Sequence, residues 1–238
     1  MSSAILKDSI PISVPSAISG IILQYTPLKC VDLTTSNLTN KNLSNTDLSN
    51  VDLTNKNLSN ADLTNADLSN TNLTNANLSN TNLTNAVLII ADLTFANLSS
   101  ADLSNANLTN ANLTSANSTN ANLTNIDLSS AYLSNANLTN TNLTNAVLIN
   151  ANLTFANLTS ANLTSANLSY AILSYADLTN ANLIQSVLTN TDLSYADLTF
   201  ANLSNVNLSN AFLLNANLSN ANLTNANLSY ADLTDVRL

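Results

Sequence analysis

From Val31 to the last residue one pattern of apolar and polar positions repeats: a small or apolar residue, Asn or Asp, leucine, Ser or Thr, then most often Asn. Aligned on leucine the chain reads VDLTT SNLTN KNLSN TDLSN VDLTN KNLSN ADLTN ADLSN, and continues so to the end. Leucine stands at 33, 38, 43 and every fifth position to 238, with Ser118 the single departure, and no insertion or deletion breaks the register.

A period of five excludes the common elements. Around an α-helix a leucine every fifth residue steps by about 140°, so no apolar face forms, and a coiled coil needs 3.5. In a flat strand the side-chain period is two, so leucines five apart would alternate between the two faces. The chain must therefore turn once per unit. A short straight side followed by a corner lets leucine and the small residue point inward and the other three outward, which describes a polygonal solenoid with each coil hydrogen-bonded to the next.

Units such as Ala61-Asp62-Leu63-Thr64-Asn65 and Ala106-Asn107-Leu108-Thr109-Asn110 resemble the pentapeptide-repeat family, whose motif is A(D/N)LXX. The resemblance covers residues 31–238 and implies an all-β fold, a right-handed quadrilateral β-helix with four units per coil. Ten to eleven coils are expected, giving a rod roughly 50 Å long at a strand spacing of about 4.8 Å. Leu23 and Leu28 already stand in phase. The solenoid is therefore expected over 21–238, regular from 31, with residues 1–20 as an N-terminal cap.

Gly20 is the only glycine, so other residues must make every corner. Asn recurs at the unit's last position and tolerates positive φ better than most residues, which marks these asparagines as turn chemistry. Lys41 and Lys56 occupy the small inward slot, where a buried unpaired ammonium would be costly. Their chains are expected to snorkel outward or pair with Asp. Ser118, alone in a leucine column between Leu98 and Leu138, should leave a small cavity or hold a water.

Composition then removes most chemistry. The charged residues are fourteen Asp, four Lys and one Arg, with no Glu and no His, for a net charge of −9. Residues 57–236 carry ten Asp and no cation. Such a chain has no electrostatic attraction for nucleic acid. General acid–base catalysis needs a His or carboxylates in differing environments, and here the Asp residues sit on outward slots, so no enzyme is expected. Cys30 is the only cysteine and reads as a small hydrophobe. There is no phosphate loop and no zinc spacing, so no cofactor and no metal are expected. Stacked Asp pairs such as Asp32 and Asp52 read as solvated carboxylates. Pro11, Pro15, Gly20 and Pro27 interrupt the apolar start, so neither signal peptide nor membrane span is expected. Asn-Leu-Ser/Thr recurs as a glycosylation acceptor pattern; with the triplets read as structural, a cytoplasmic location is expected.

With four units per coil, positions twenty apart share a column, and the faces can be named A to D after Leu63, Leu68, Leu73 and Leu78. From residue 57 onward eighteen outward slots hold Val, Ile, Leu, Phe or Tyr, and all but Ile184 on A and Phe200 on D fall on B and C. Val87, Ile89 and Phe95 have counterparts at Val147, Ile149 and Phe155 because residues 81–100 and 141–160 match at seventeen of twenty positions; these pairs count once. Phe155, Tyr175 and Tyr195 should form an aromatic ladder on successive coils. The candidate protein interface comprises Tyr132, Phe155, Tyr170, Ile172, Tyr175, Val187, Tyr195, Phe212, Leu214 and Tyr230, since contiguous exposed apolar patches mark interaction sites.

The expected function is a non-enzymatic structural or protein-binding scaffold whose partner is a protein. Leu238 ends the chain in full register, and a symmetric dimer through that end would cover the open coil edge. A first alternative comes from the resemblance: some family members imitate duplex DNA and protect type II topoisomerases from quinolones. This chain's charge density is well below half that of DNA, and no projecting loop interrupts its coils. A second alternative is ice binding by the regular Ser/Thr hydroxyls.

Overall fold

The structure is a computed structural model that describes residues 36–238. The expected cap over 1–20, the in-phase Leu23 and Leu28, Cys30 and Asp32 lie outside the described residues. The second residue of each unit from Asn42 to Asn217 forms a parallel bridge to the residue twenty later, the first being Asn42 with Asp62 and the last Asn217 with Arg237. Four units therefore close one coil, and the fold is the right-handed quadrilateral β-helix that the repeat implies.

The unit Ala61-Asp62-Leu63-Thr64-Asn65 shows why this sequence makes this backbone. Asp62 N–H donates to Lys41 of the coil before (2.8 Å), and Leu63 and Asn65 N–H donate to Asn82 and Thr84 of the coil after (2.7 and 2.9 Å). Ala61 N–H closes the corner before it on the Leu58 carbonyl at 3.0 Å, as Ala66 does on Leu63 in the next unit. One donor is left over, Thr64 N–H, and the Asp62 side chain accepts it at 3.0 Å. Thr64 Oγ1 donates to the same carboxylate oxygen at 2.6 Å. All five amides of the unit are thus satisfied, four by backbone and one by an Asx turn.

The corners require the left-handed region. Every fifth residue from Asn40 to Asp235 has φ between 54° and 62°, in the i+2 place of a four-residue turn that needs positive φ. With no glycine available, Asn fills most of these places because its short polar side chain makes αL least costly among the other residues.

Inside, leucine and alanine columns fill the rod, nearly all with no exposed surface. Where Thr replaces alanine, its hydroxyl donates to a carbonyl of the preceding coil, as Thr71 to Leu48, Thr81 to Leu58, Thr141 to Ser118 and Thr191 to Leu168, at 2.8–3.1 Å. Lys41 and Lys56 are half-buried in the first described coils, and the Lys56 charge bears on Asp52. Ser118 is buried, and its coil neighbours Leu113 and Leu123 are each 3% exposed where most core leucines are 0%. Its shorter side chain fills less of the core than leucine does at that place in the other coils. In the last coil the layer opens, and Leu233 and Leu238 are 46% and 82% exposed.

Candidate functional site

Most of the outer surface is occupied with its own hydrogen bonds. On face A, Asn162 Oδ1 accepts from Thr164 N–H (3.2 Å) and Thr164 Oγ1 (2.6 Å), while its Nδ2 donates to Thr144 Oγ1 of the coil before (3.0 Å). Asn182 repeats the arrangement onto Thr164 at 3.1 Å. Corner asparagines form ladders of their own, as from Asn145 to Asn125 (3.1 Å) and from Asn125 to Asn105 (3.0 Å). Many of the hydroxyls that the sequence suggested as an ice-binding array, Thr144 and Thr164 among them, donate within the protein.

The exposed apolar residues break this lattice. Ile90, Phe95, Phe155, Tyr170, Tyr175, Tyr195, Phe200 and Tyr230 all stand in corner positions with positive φ, uncommon for bulky or β-branched residues and costing of order 1–3 kcal/mol each. Each is 46% exposed or more. Val87, Tyr132, Val147, Ile172, Val187 and Phe212 take the second position of their units and so offer no side-chain acceptor for the Asx turn. At Val87, Val147 and Phe212 the hydroxyl partner is missing as well, replaced by Ile89, Ile149 and Leu214.

The structure brings some of the expected residues together and separates others. Phe155 and Tyr175 stack with centroids 4.9 Å apart, and Tyr175 and Tyr195 with centroids 4.8 Å apart and planes 3° from parallel. This ladder stands on the edge where face C turns into face D, not on the flat of C, because the fifth residue of a unit belongs to the corner. On the flat of C, Tyr132, Asn152, Ile172, Asp192, Phe212 and Asp232 follow one another in one bridged column. Apolar and polar side chains alternate along it. Ile172 shares a coil with Tyr175, and Phe212 and half-buried Leu214 lie one coil beyond Tyr195. Tyr170 and Tyr230 share the B–C corner column but are separated by Asn190 and Asn210. Val187 is half-buried on face B between Asn167 and Asn207. Tyr132 stands apart, where with Ile90, Asp92 and Asn112 it borders a shallow groove of about 430 Å³.

Three carboxyls are held below the ordinary carboxylate range. Asp52 is lowered by the hydroxyl and N–H of Thr54 and by the Lys56 charge, and Asp232 by the same two groups of Thr234. At Asp192 partial burial pulls upward, but the hydroxyls of Ser174 and Ser194 and the Ser194 N–H outweigh it. Ser174 Oγ lies 2.6 Å from Asp192 Oδ2. Among the described residues no group of His, Cys, Asp or Glu is arranged to hold a metal ion, and no helix is long and apolar enough to cross a membrane.

Sequence reasoning placed the leucines, corners and ladder but missed the Asx turn that links the second and fourth residues. The signal was present: Asn or Asp followed two residues later by Ser or Thr is the composition of that turn.

The family model for pentapeptide repeats matches residues 28–65, 57–88, 91–129, 131–169, 171–210 and 201–238. Among solved structures, HetL from the cyanobacterium Nostoc sp. strain PCC 7120, a pentapeptide repeat protein involved in heterocyst differentiation regulation, is 35% identical with a TM-score of 0.82, over 83% of this chain and 89% of that one. Rfr23 from the cyanobacterium Cyanothece 51142 is also 35% identical, over 38% of this chain and 63% of that one, with a TM-score of 0.38. QnrB1, a plasmid-mediated fluoroquinolone resistance protein, is 20% identical over 69% of this chain and 85% of that one, with a TM-score of 0.36. No curated protein sequence matches the chain.

Proposed function

This chain belongs to the pentapeptide-repeat family, and on that premise we propose that it is a non-enzymatic, cytoplasmic scaffold that binds a protein partner through its aromatic edge and the adjoining flat of face C. The observation that carries this reading is the ladder of Phe155, Tyr175 and Tyr195. Three successive coils place rings where Asn is the easier residue for the backbone, and leave them about half exposed. Aromatic side chains of this kind are enriched at interface hot spots. The similar HetL is involved in regulating differentiation, which favours a regulatory partner over a purely structural one.

Catalysis has little to draw on. The chain contains no His and no Glu, and the carboxylates at second positions spend an oxygen on the Asx turn, as at Asp62, Asp102 and Asp127. A net charge of −9 repels nucleic acid.

The test compares the intact chain with the triple variant Tyr175→Asn, Tyr195→Asn, Phe212→Asn, which restores residues common at those slots. Sedimentation reports self-association, affinity capture reports other partners, and circular dichroism checks the fold. Partner binding lost from a well-folded variant is the expected result. Equal mass and equal capture by both proteins would remove the stripe from function and turn attention to the open last coil as a dimer surface.

A further inference from the structure

The aromatic edge is set among carboxylates. Tyr195 has Asp192 three residues before it on face C and Asp197 two residues after it on face D. Asp197 is bridged directly to Asp177 of the preceding coil, and Asp177 stands in the same relation to Tyr175. Ile172 and Phe212 bracket Asp192 in its own column. No Lys, Arg or His occurs between residues 57 and 236. Arg237 stands in the column of Asp177 and Asp197, two coils beyond Asp197, with Asn217 between.

These carboxylates are oriented by neighbouring donors. Asp177 accepts from Thr179 N–H (2.9 Å) and Thr159 Oγ1 (3.1 Å), and Asp192 from Ser194 N–H (2.9 Å) and Ser174 Oγ (2.6 Å). Asp197 Oδ1 accepts from Thr199 N–H (2.9 Å), Thr199 Oγ1 and Asn217 Nδ2 (3.3 Å), while its Oδ2 has no protein donor among the described residues. The ring column continues past Tyr195 as Asn215, so the stack ends there in a ring face that no further ring covers.

Resting on the reading that this edge binds protein, we propose that its occupant is a basic, arginine-bearing segment of the partner. A guanidinium suits both halves of the surface: its planar face stacks on the end of the ring ladder, and its fork of donors meets Asp192 or Asp197. A lysine ammonium meets the carboxylates but lacks the flat face and the fork. An apolar segment without cations would bury three carboxylates with no counter-charge, and an acidic segment, including a second copy of this chain laid edge to edge, would add like charge.

The test uses the full chain and two fluorescein-labelled peptides, one alternating Arg and Ser and one alternating Lys and Ser, with anisotropy read at near-physiological salt. Two variants probe the site, Asp177→Asn with Asp192→Asn and Asp197→Asn, and Tyr175→Asn with Tyr195→Asn. A control, Asp62→Asn with Asp102→Asn and Asp127→Asn, removes the same charge from faces A and B. Each site variant should weaken the arginine peptide about tenfold or more and the control less than about threefold, with the lysine peptide several-fold weaker than arginine on the intact chain. Equal losses in site and control variants would reduce the effect to general attraction by an acidic rod and overturn the proposal. So would unchanged binding in the tyrosine variant, or equal affinity for both peptides. Partner capture that depends on the stripe without any arginine preference would keep the protein-binding reading and remove this one alone.

Discussion

Tyr175 and Tyr195 lie with ring planes 3° from parallel and centroids 4.8 Å apart, which is the spacing of neighbouring strands. The coil pitch therefore sets the contact, and parallel rings that touch at that centroid separation are offset, the arrangement favoured by the ring quadrupoles. Each ring occupies a left-handed corner that disfavours it, and each recovers part of that cost from its neighbour.

A double-mutant cycle isolates the ring contact. Tyr175→Asn and Tyr195→Asn, singly and together, should give a coupling energy of about 0.5–1.5 kcal/mol by denaturant unfolding. Asn140→Tyr places a ring in the same backbone geometry with only Asn120 and Ser160 as column neighbours, and should destabilise by about 1 kcal/mol with no recovery. A coupling energy of zero would mean the rings do not hold one another in solution.

The Asx turn is tested at the centre of the face A lattice. Asn162→Ala removes the acceptor of Thr164 N–H and the donor to Thr144 Oγ1, and should cost about 1–2 kcal/mol. Asn162→Asp keeps the acceptor and should cost less. If alanine and aspartate variants unfold at the same urea concentration, the turn contributes nothing that water does not replace.

Acid should unfold the rod from the carboxylate side. Asp52, Asp192 and Asp232 are depressed in the folded state, so the stability they contribute is present above the unfolded value of about 3.9 and is lost as pH falls through the folded values. With no His in the chain, the urea midpoint should be flat from about pH 5 to 8 and fall below about pH 4. Asp192→Asn should flatten part of that fall. A midpoint that rises on acidification would contradict the hydrogen-bonding assigned to these groups.

The period of five carried most of the fold in plain view. Leucine and alanine could face inward together only in a coil that turns once per unit, the resemblance to pentapeptide repeats gave that coil its four sides, and Asn at the fifth place, in a chain with Gly20 as its one glycine, pointed to left-handed corners. The ladder followed because positions twenty apart stack. What the spacing did not convey was which outward groups bond to one another. Ser and Thr beside Asn look like free hydroxyls in a linear reading, and only the corner geometry turns Asn162 Oδ1 back onto Thr164. For the same reason Tyr175 read as part of a face, although the turn carries it to an edge. The partner was not legible at all, since complementarity requires the carboxylates and rings to be placed relative to each other.

Ser118 gives the most direct test of the inward register. It is the one non-leucine in the leucine columns, it is buried, and Leu113 and Leu123 beside it show slight surface that most core leucines lack. Its carbonyl still accepts the Thr141 hydroxyl at 2.9 Å and its N–H still reaches Asn137 at 2.8 Å, so the backbone is unchanged and only side-chain volume is missing. Ser118→Leu should fill that volume with the residue every other coil uses, and raise stability by about 1 kcal/mol or more. The gain combines added apolar burial with removal of a buried hydroxyl, and both act in the same direction. Ser118→Ala separates them: it removes the hydroxyl without filling the space, and should gain less than leucine. A leucine variant that melts lower than the parent would mean the column is overpacked at that coil, and the inward register there would have to be redrawn.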